Sequence, residues 1–279
     1  MIAIFGGLGA ALCWGAGTVS AARASRLVGA RSVLNWVMII GFVVTAPIAV
    51  ASGFPEGLQA HEVGWLLTSG AGNVIGLLLS YQALRSGKVS IVAPITSTEG
   101  AIAAVIAVVT GEALCVPSAV LLALIVVGVV LATLVPAGSG GHTLRATLLA
   151  AGAAGSFGAS LYATGRISMA LPLVWAVIPA RAVGVAAVAL PSLVLRRIRI
   201  EAAAVPFVLI SGLCEVGGFA SFSIGARHGI AVSAVLASQF AAVAAVAALV
   251  VFHERLRPVQ VAGIVTIVLG VAALSAVRA

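Results

Sequence analysis

The chain has 279 residues, of which 62% are hydrophobic and only 8% charged, whereas a soluble domain carries about 25% charged residues. So apolar a chain cannot cover itself with polar side chains, and its solvent is lipid. The acidic residues are all Glu (Glu56, Glu62, Glu99, Glu112, Glu201, Glu215 and Glu254), and the absence of Asp excludes Walker B sites, DxD sugar-transfer sites, EF-hands and Asp-based triads.

The net charge of +8 comes from arginines and a single lysine, Lys88, placed mostly in short loops between apolar runs. No basic stripe with interleaved aromatics exists, so nucleic acid is not an expected partner. Anionic lipid headgroups are. Cys13, Cys115 and Cys214 are few and scattered, which excludes a disulfide framework or a zinc site; they read as small buried apolar residues. His61, His142, His228 and His253 all fall in loops and form no ligand cluster. No cofactor is expected.

In chain order, ten segments have the roughly 20 apolar residues that a membrane helix needs. They lie at 2–22, 32–51, 63–83, 89–110, 114–135, 144–164, 172–193, 203–225, 230–251 and 258–277. The first, MIAIFGGLGAALCWGAG onward, lacks a basic leader and is long enough to span, so it reads as a membrane helix rather than a cleaved signal. None alternates as a barrel strand does, and open sheet edges do not exist in lipid. The fold class is therefore all-α integral membrane. Punctuation agrees: GFPEG at 53–57, SGK at 86–88, PAGSGG at 136–141 and RRIRIE at 196–201. Gly72 and Gly76 form a GxxxG, which predicts close helix packing.

The Gly/Ser-rich stretch at 136–141 lies near the middle and prompts a search for an internal repeat. A shift of 142 residues brings YQALRSGKVSIVAP…VVTGEAL (81–114) over SIGARHGIAVSAVL…LVVFHERL (223–256). Arg85 then meets Arg227, Gly87 meets Gly229, Glu112 meets Glu254 and Asn73 meets Glu215. Trp14-Gly15-Ala16 resembles Phe157-Gly158-Ala159 with a one-residue slip. The repeats are 1–137 and 142–279. Five helices each is an odd number, so the second copy enters the membrane from the opposite side. This is an inverted repeat, an architecture of many secondary transporters, with the site expected near the midplane.

LCWGAGTVSAARAS (12–25), GEAL (111–114) and HERL (253–256), with the glycine–valine tail after each of the last two, carry a family resemblance. The chain resembles the drug/metabolite transporter superfamily, in its ten-helix EamA type. The resemblance implies a ten-helix carrier of small metabolites or drugs, with the termini in the cytoplasm. This sequence departs from the usual second repeat in placing Arg181 and Glu215 deep in helices.

Charges at mid-helix cost about 2.5–3.5 kcal/mol on the insertion scale and are candidate functional groups by default. Glu99, Arg181 and Glu215 are three such residues. Asn73, Gln239 and Ser238 add polar groups at similar depth, and Thr96, Ser97 and Thr98 precede Glu99. Trp14, Phe157 and Tyr162 add aromatic surface. The expected substrate-binding set is Trp14, Asn73, Glu99, Phe157, Tyr162, Arg181, Glu215 and Gln239, lining one cavity between the halves. The blander readings are a purely structural ion pair for the charges, helix–helix hydrogen bonds for Asn73 and Gln239, and interface anchoring for Trp14 and Tyr162. Glu112 and Glu254 precede helices, where negative charge suits the macrodipole, so they read as structural.

Low dielectric favours a neutral carboxyl, and a neighbouring arginine favours the carboxylate. A group held between those pulls can release and rebind a proton as its cavity changes sides. Glu99 or Glu215 is the expected coupling carboxyl, with Arg181 holding the other carboxylate or a substrate carboxylate through its planar fork. The function expected is secondary transport of small polar, amino-acid-like metabolites or drugs, with proton-coupled efflux across the cytoplasmic membrane. The alternative is a channel or uniporter without coupling. An enzyme is not expected, since no nucleophile–base pair can be argued. Partners are a small substrate, protons and lipids, with a homodimer allowed. Charge counting and resemblance disagree on orientation. Eleven basic residues fall in the loops facing one side and three on the side of the termini, which places the termini outside the cytoplasm.

Overall fold

The computed structural model describes residues 1–86, 89–133, 143–196, 198, 200–244 and 258–278. Among the described residues there are helices, turns and loops but no strand. The helices are α1 (Ile2–Val28), α2 (Ala30–Ala51), α3 (Ala60–Ser86), α4 (Val89–Thr96), α5 (Glu99–Val109), α6 (Val116–Thr133) and α7 (Thr143–Ala170). They continue as α8 (Leu173–Val194), α9 (Val205–Ala226), α10 (Ile230–Ala244) and α11 (Pro258–Arg278). A π-turn at Val185–Ala189 lies inside α8. Among the described residues six helices are long and apolar enough to cross a membrane: α1, α2, α3, α7, α8 and α9 with its preceding turn. Their outward faces carry exposed Phe5, Leu12, Val43, Leu67, Leu148 and Leu193, the surface that a lipid solvent requires.

The spans expected at 89–110 and 230–251 are not continuous where described. The first breaks at Ser97–Thr98, between α4 and α5. The second breaks at Ser238–Gln239, inside α10. The backbone does the same thing at both places. Ser97 donates to Ala93 and Ser238 to Ala234; Thr98 donates to Ile95 and Gln239 to Leu236; Ile102 donates to Thr98 and Val243 to Gln239. The middle bond of each set closes a tighter turn, after which the helix restarts. The Thr96, Thr98 and Ser238 hydroxyls bond back to Val92, Ile95 and Val235, which is how such side chains bend helices.

Packing runs chiefly between the two halves. The main contacts are α1 with α9, α3 with α7, α6 with α11, α5 with α10 and α2 with α8. Further contacts join α5 with α7, α1 with α10, α3 with α8 and α2 with α9. Small residues allow the close approaches. A Cβ on Gly72 would lie 2.8 Å from the Ser156 carbonyl oxygen of α7, as the GxxxG reading requires. Hydroxyls tie the same seams: Ser221 donates to the Gly6 carbonyl at 2.9 Å and Ser160 to the Ser69 carbonyl at 2.8 Å.

Glu112 is structural, but it does not serve the helix that follows it. Its carboxylate accepts from the amides of Ile230 (3.1 Å) and Ala231 (3.2 Å) at the start of α10. The orphan amides of that helix end attract an anion. Glu254 lies outside the described residues. Cys115 is exposed and Cys13 and Cys214 are half-buried, so burial does not describe all three thiols.

Candidate functional site

A cavity of about 50 Å³ lies where the halves meet. Helix α1 contributes Trp14 and Thr18, α3 contributes Asn73, Ser80 and Tyr81, and α7 contributes Phe157 and Ser160. Glu99 enters from the restart of the broken helix, Glu215 and Phe219 from α9, and Phe240 from the restart of α10. Asn73, Leu77, Ser80 and Tyr81 share one face of α3 by helical spacing.

Glu99 is 5% exposed and sits in the first turn of α5. Among the described residues no arginine lies within ion-pair distance of it. Glu99 and Glu215 line the same cavity, so the two carboxyls share one region. Their environments differ. Glu215 receives Arg181 Nη2 at 3.2 Å and a hydrogen bond from the Asn73 side chain.

Arg181 is fully buried and stands behind Glu215 rather than in the cavity lining. Its guanidinium carbon lies 5.3 Å from the Phe219 ring centroid, and Nη1 lies 3.9 Å from Met38 Sδ. Gly41 of α2 leaves room for it: a Cβ there would come within 2.6 Å of Arg181 Cδ.

The sequence-predicted residues therefore divide. Trp14, Asn73, Glu99, Phe157 and Glu215 line the cavity together. Gln239 lies at the α10 break, where its Nε2 donates to the Val235 carbonyl at 3.2 Å, and is not part of the lining. Tyr162 also lies elsewhere. Its hydroxyl donates to Thr110 Oγ1 at 2.7 Å and its ring meets Trp65 edge-on at 5.5 Å. Phe219, Phe240, Ser80 and Tyr81 were not singled out from sequence. The face shared with Asn73 was a usable signal for Ser80 and Tyr81. The phenylalanines have none in an apolar helix.

Several polar atoms are unsatisfied. Asn73 Oδ1, Gln239 Oε1, Arg181 Nε and Trp14 Nε1 are buried without a hydrogen-bond partner among the described residues. The Trp14 indole edge abuts Gly218, where a Cβ would collide with it. Buried polar groups are normally paired, and two of these atoms, on Asn73 and Trp14, belong to residues of the lining.

The lining extends along α1 and α3 toward their C-terminal ends, away from Met1 and Ala60. Toward the opposite end, the halves are joined by Tyr162–Thr110, by Ser69–Thr164 at 2.7 Å and by Glu112 on α10.

Residues 1–134 match the model of the EamA-like transporter family. No curated protein matches the chain. A solved crystal structure is similar with a TM-score of 0.77, over 99% of this chain and 96% of its own, at 19% identity. At that identity the likeness establishes the fold.

Proposed function

Because residues 1–134 match the EamA-like transporter family and the chain is a multi-pass membrane protein, we propose that it is a member of that family and a proton-coupled secondary transporter of small polar metabolites or drugs, working by alternating access. The observation that carries this is Glu99: a buried carboxyl, without a cation beside it among the described residues, lining a cavity where a membrane helix is interrupted.

The architecture proposed is ten crossings in two inverted copies, residues 1–137 and 142–279. The six long helices supply six of them. The broken pair α4–α5, α6, α10 and α11 supply the rest. Two features support the inverted copies. The cross-half contacts fall into matched pairs, α1–α9 with α3–α7, α5–α7 with α1–α10, and α3–α8 with α2–α9. The two helix breaks also share one hydrogen-bond pattern. Discontinuous helices at a shared midplane site are a recurring feature of secondary transporters.

The working cycle follows. A cavity of about 50 Å³ is far below the roughly 300 Å³ of a typical ligand pocket. The halves must separate to admit a substrate, on the side toward which the lining extends. The joined end must then part for release. Rocking of one half against the other does both. Glu99 is the coupling carboxyl: it gives up its proton on one side and regains it on the other. Across a cytoplasmic membrane with an inward proton gradient, that exchange exports the substrate.

Purified protein in liposomes tests the reading. Uptake of an amino-acid and amine panel is followed with an imposed proton gradient and a pH dye inside. Uphill, saturable flux accompanied by proton movement is expected, with both lost in Glu99→Gln. Flux indifferent to the proton gradient would return the protein to the uniporter class.

A further inference from the structure

The charge arrangement points to one class of substrate, and we propose that the cavity selects organic cations, specifically small amines with an aromatic or apolar body. This inference rests on the transporter reading of the same cavity.

Among the described residues two charged ones line the cavity, Glu99 and Glu215. Glu215 is neutralised by Arg181 at 3.2 Å. The guanidinium is held away from the cavity: Nη2 bonds Glu215, the group lies against Phe219, Nε faces Gly41 of α2, and the whole side chain is excluded from solvent. It therefore turns no fork toward a substrate carboxylate, although a planar two-pronged fork is what makes arginine a carboxylate receptor. Drawing Arg181 toward a substrate would leave Glu215 buried and unpaired, a heavy penalty. That leaves Glu99 as the one uncompensated charge on the lining, and it is negative when ionised.

The neutral groups lean the same way. Asn73 Oδ1 is a buried acceptor with no donor among the described residues, and the Ser80, Ser160 and Thr18 hydroxyls can each accept, while the unpaired donor of Trp14, Nε1, is turned onto Gly218. The rings of Trp14, Phe157 and Phe240 border the same space. Aromatic faces attract cations and repel anions. An ammonium satisfies both Glu99 and Asn73. A zwitterion of amino-acid type would bring a carboxylate into a cavity that offers it no cation. An anion would face Glu99 directly.

A matched series isolates charge from shape. Tyramine, tyrosol, tyrosine and 4-hydroxyphenylacetate share one phenol ring and differ in carrying an ammonium, a hydroxyl, both charges or a carboxylate. Binding to the purified full-length protein is measured by calorimetry at neutral pH. Tyramine is expected to bind about ten- to hundredfold more tightly than tyrosol, the usual range for a hydrogen bond to a charged group. Tyrosine and the acid should bind more weakly than tyrosol. Glu99→Gln should erase the advantage of tyramine while leaving tyrosol unchanged, and Glu99→Asp should keep its direction. Tyrosine or the acid binding best, equal binding of all four, or no tyramine binding at millimolar concentration would each overturn the proposal, with wild-type protein alone. Liposome flux separates the two readings. Tyramine binding without flux would remove the transporter reading and leave the charge preference standing. Coupled transport of a carboxylate that outbinds tyramine would do the reverse.

Discussion

Arg181 donates to the Glu215 carboxylate at 3.2 Å from a side chain that is itself wholly buried, while Glu215 keeps 12% of its own side chain exposed. The pair thus has a buried cationic end on α8 and a carboxylate end on α9 that reaches the cavity. Removing one member of such a pair leaves the other charged and desolvated, at a cost of about 3–5 kcal/mol. Arg181→Gln and Glu215→Gln should each lower the thermal unfolding temperature of the purified protein sharply. The double variant should recover a large part of the loss. Additive losses would show that the two residues act independently.

The sequence exposed part of this arrangement for a physical reason. Glu99, Asn73 and Glu215 are polar groups in helices where each costs energy, so their presence had to mean something. Trp14 and Phe157 were legible through the internal repeat. The direction of Arg181 was not. Its position mid-helix showed that it needed a partner, but not that the partner would be Glu215 rather than a substrate. Tyr162 lies near the end of its predicted segment, and its hydroxyl is taken by Thr110. The breaks at Ser97–Thr98 and Ser238–Gln239 were invisible because serine and threonine are common in unbroken membrane helices. The partner of Glu112 lies 118 positions away, beyond the reach of any local pattern.

The two broken helices touch through Gly100. A Cβ at that position would meet the Ala234 carbonyl oxygen and lie 2.7 Å from Ser238 Cβ. Backbone cannot yield as a flexible side chain does, so Gly100→Ala should destabilise the protein by about 1–3 kcal/mol. Gly155, with open space around its would-be Cβ, is the control. Gly155→Ala should leave the unfolding temperature the same or higher, as alanine favours helix. Equal behaviour of the two variants would argue against the close approach.

Gly41 tests the position of Arg181 without changing a charge. Its added methyl would press on Arg181 Cδ, displacing the guanidinium from Glu215. Gly41→Ala should therefore resemble a weak form of Arg181→Gln, with a fall in unfolding temperature that largely disappears in a Glu215→Gln background. A fall that persists undiminished there would assign the effect to α2 packing alone.

Glu112 joins the halves at the end opposite to the cavity mouth, by accepting from the first amides of α10. Capping side chains contribute about 0.5–2 kcal/mol, and a negative charge at a helix start adds to the bond itself. Glu112→Ala should lose the whole contribution. Glu112→Gln keeps an acceptor oxygen but not the charge, so it should fall between. The loop that carries Glu112 runs into Cys115, which is exposed, so its thiol reports on how firmly the loop is held. In a background with Cys13 and Cys214 replaced by alanine, alkylation of Cys115 should quicken in the order wild type, Glu112→Gln, Glu112→Ala. Loss of the cap frees the loop and the start of α10 together, so the labelling rate and the unfolding temperature should change in parallel across the three proteins. A labelling rate that stays constant while stability falls would place the contribution of Glu112 inside α10 and not in the junction between the halves.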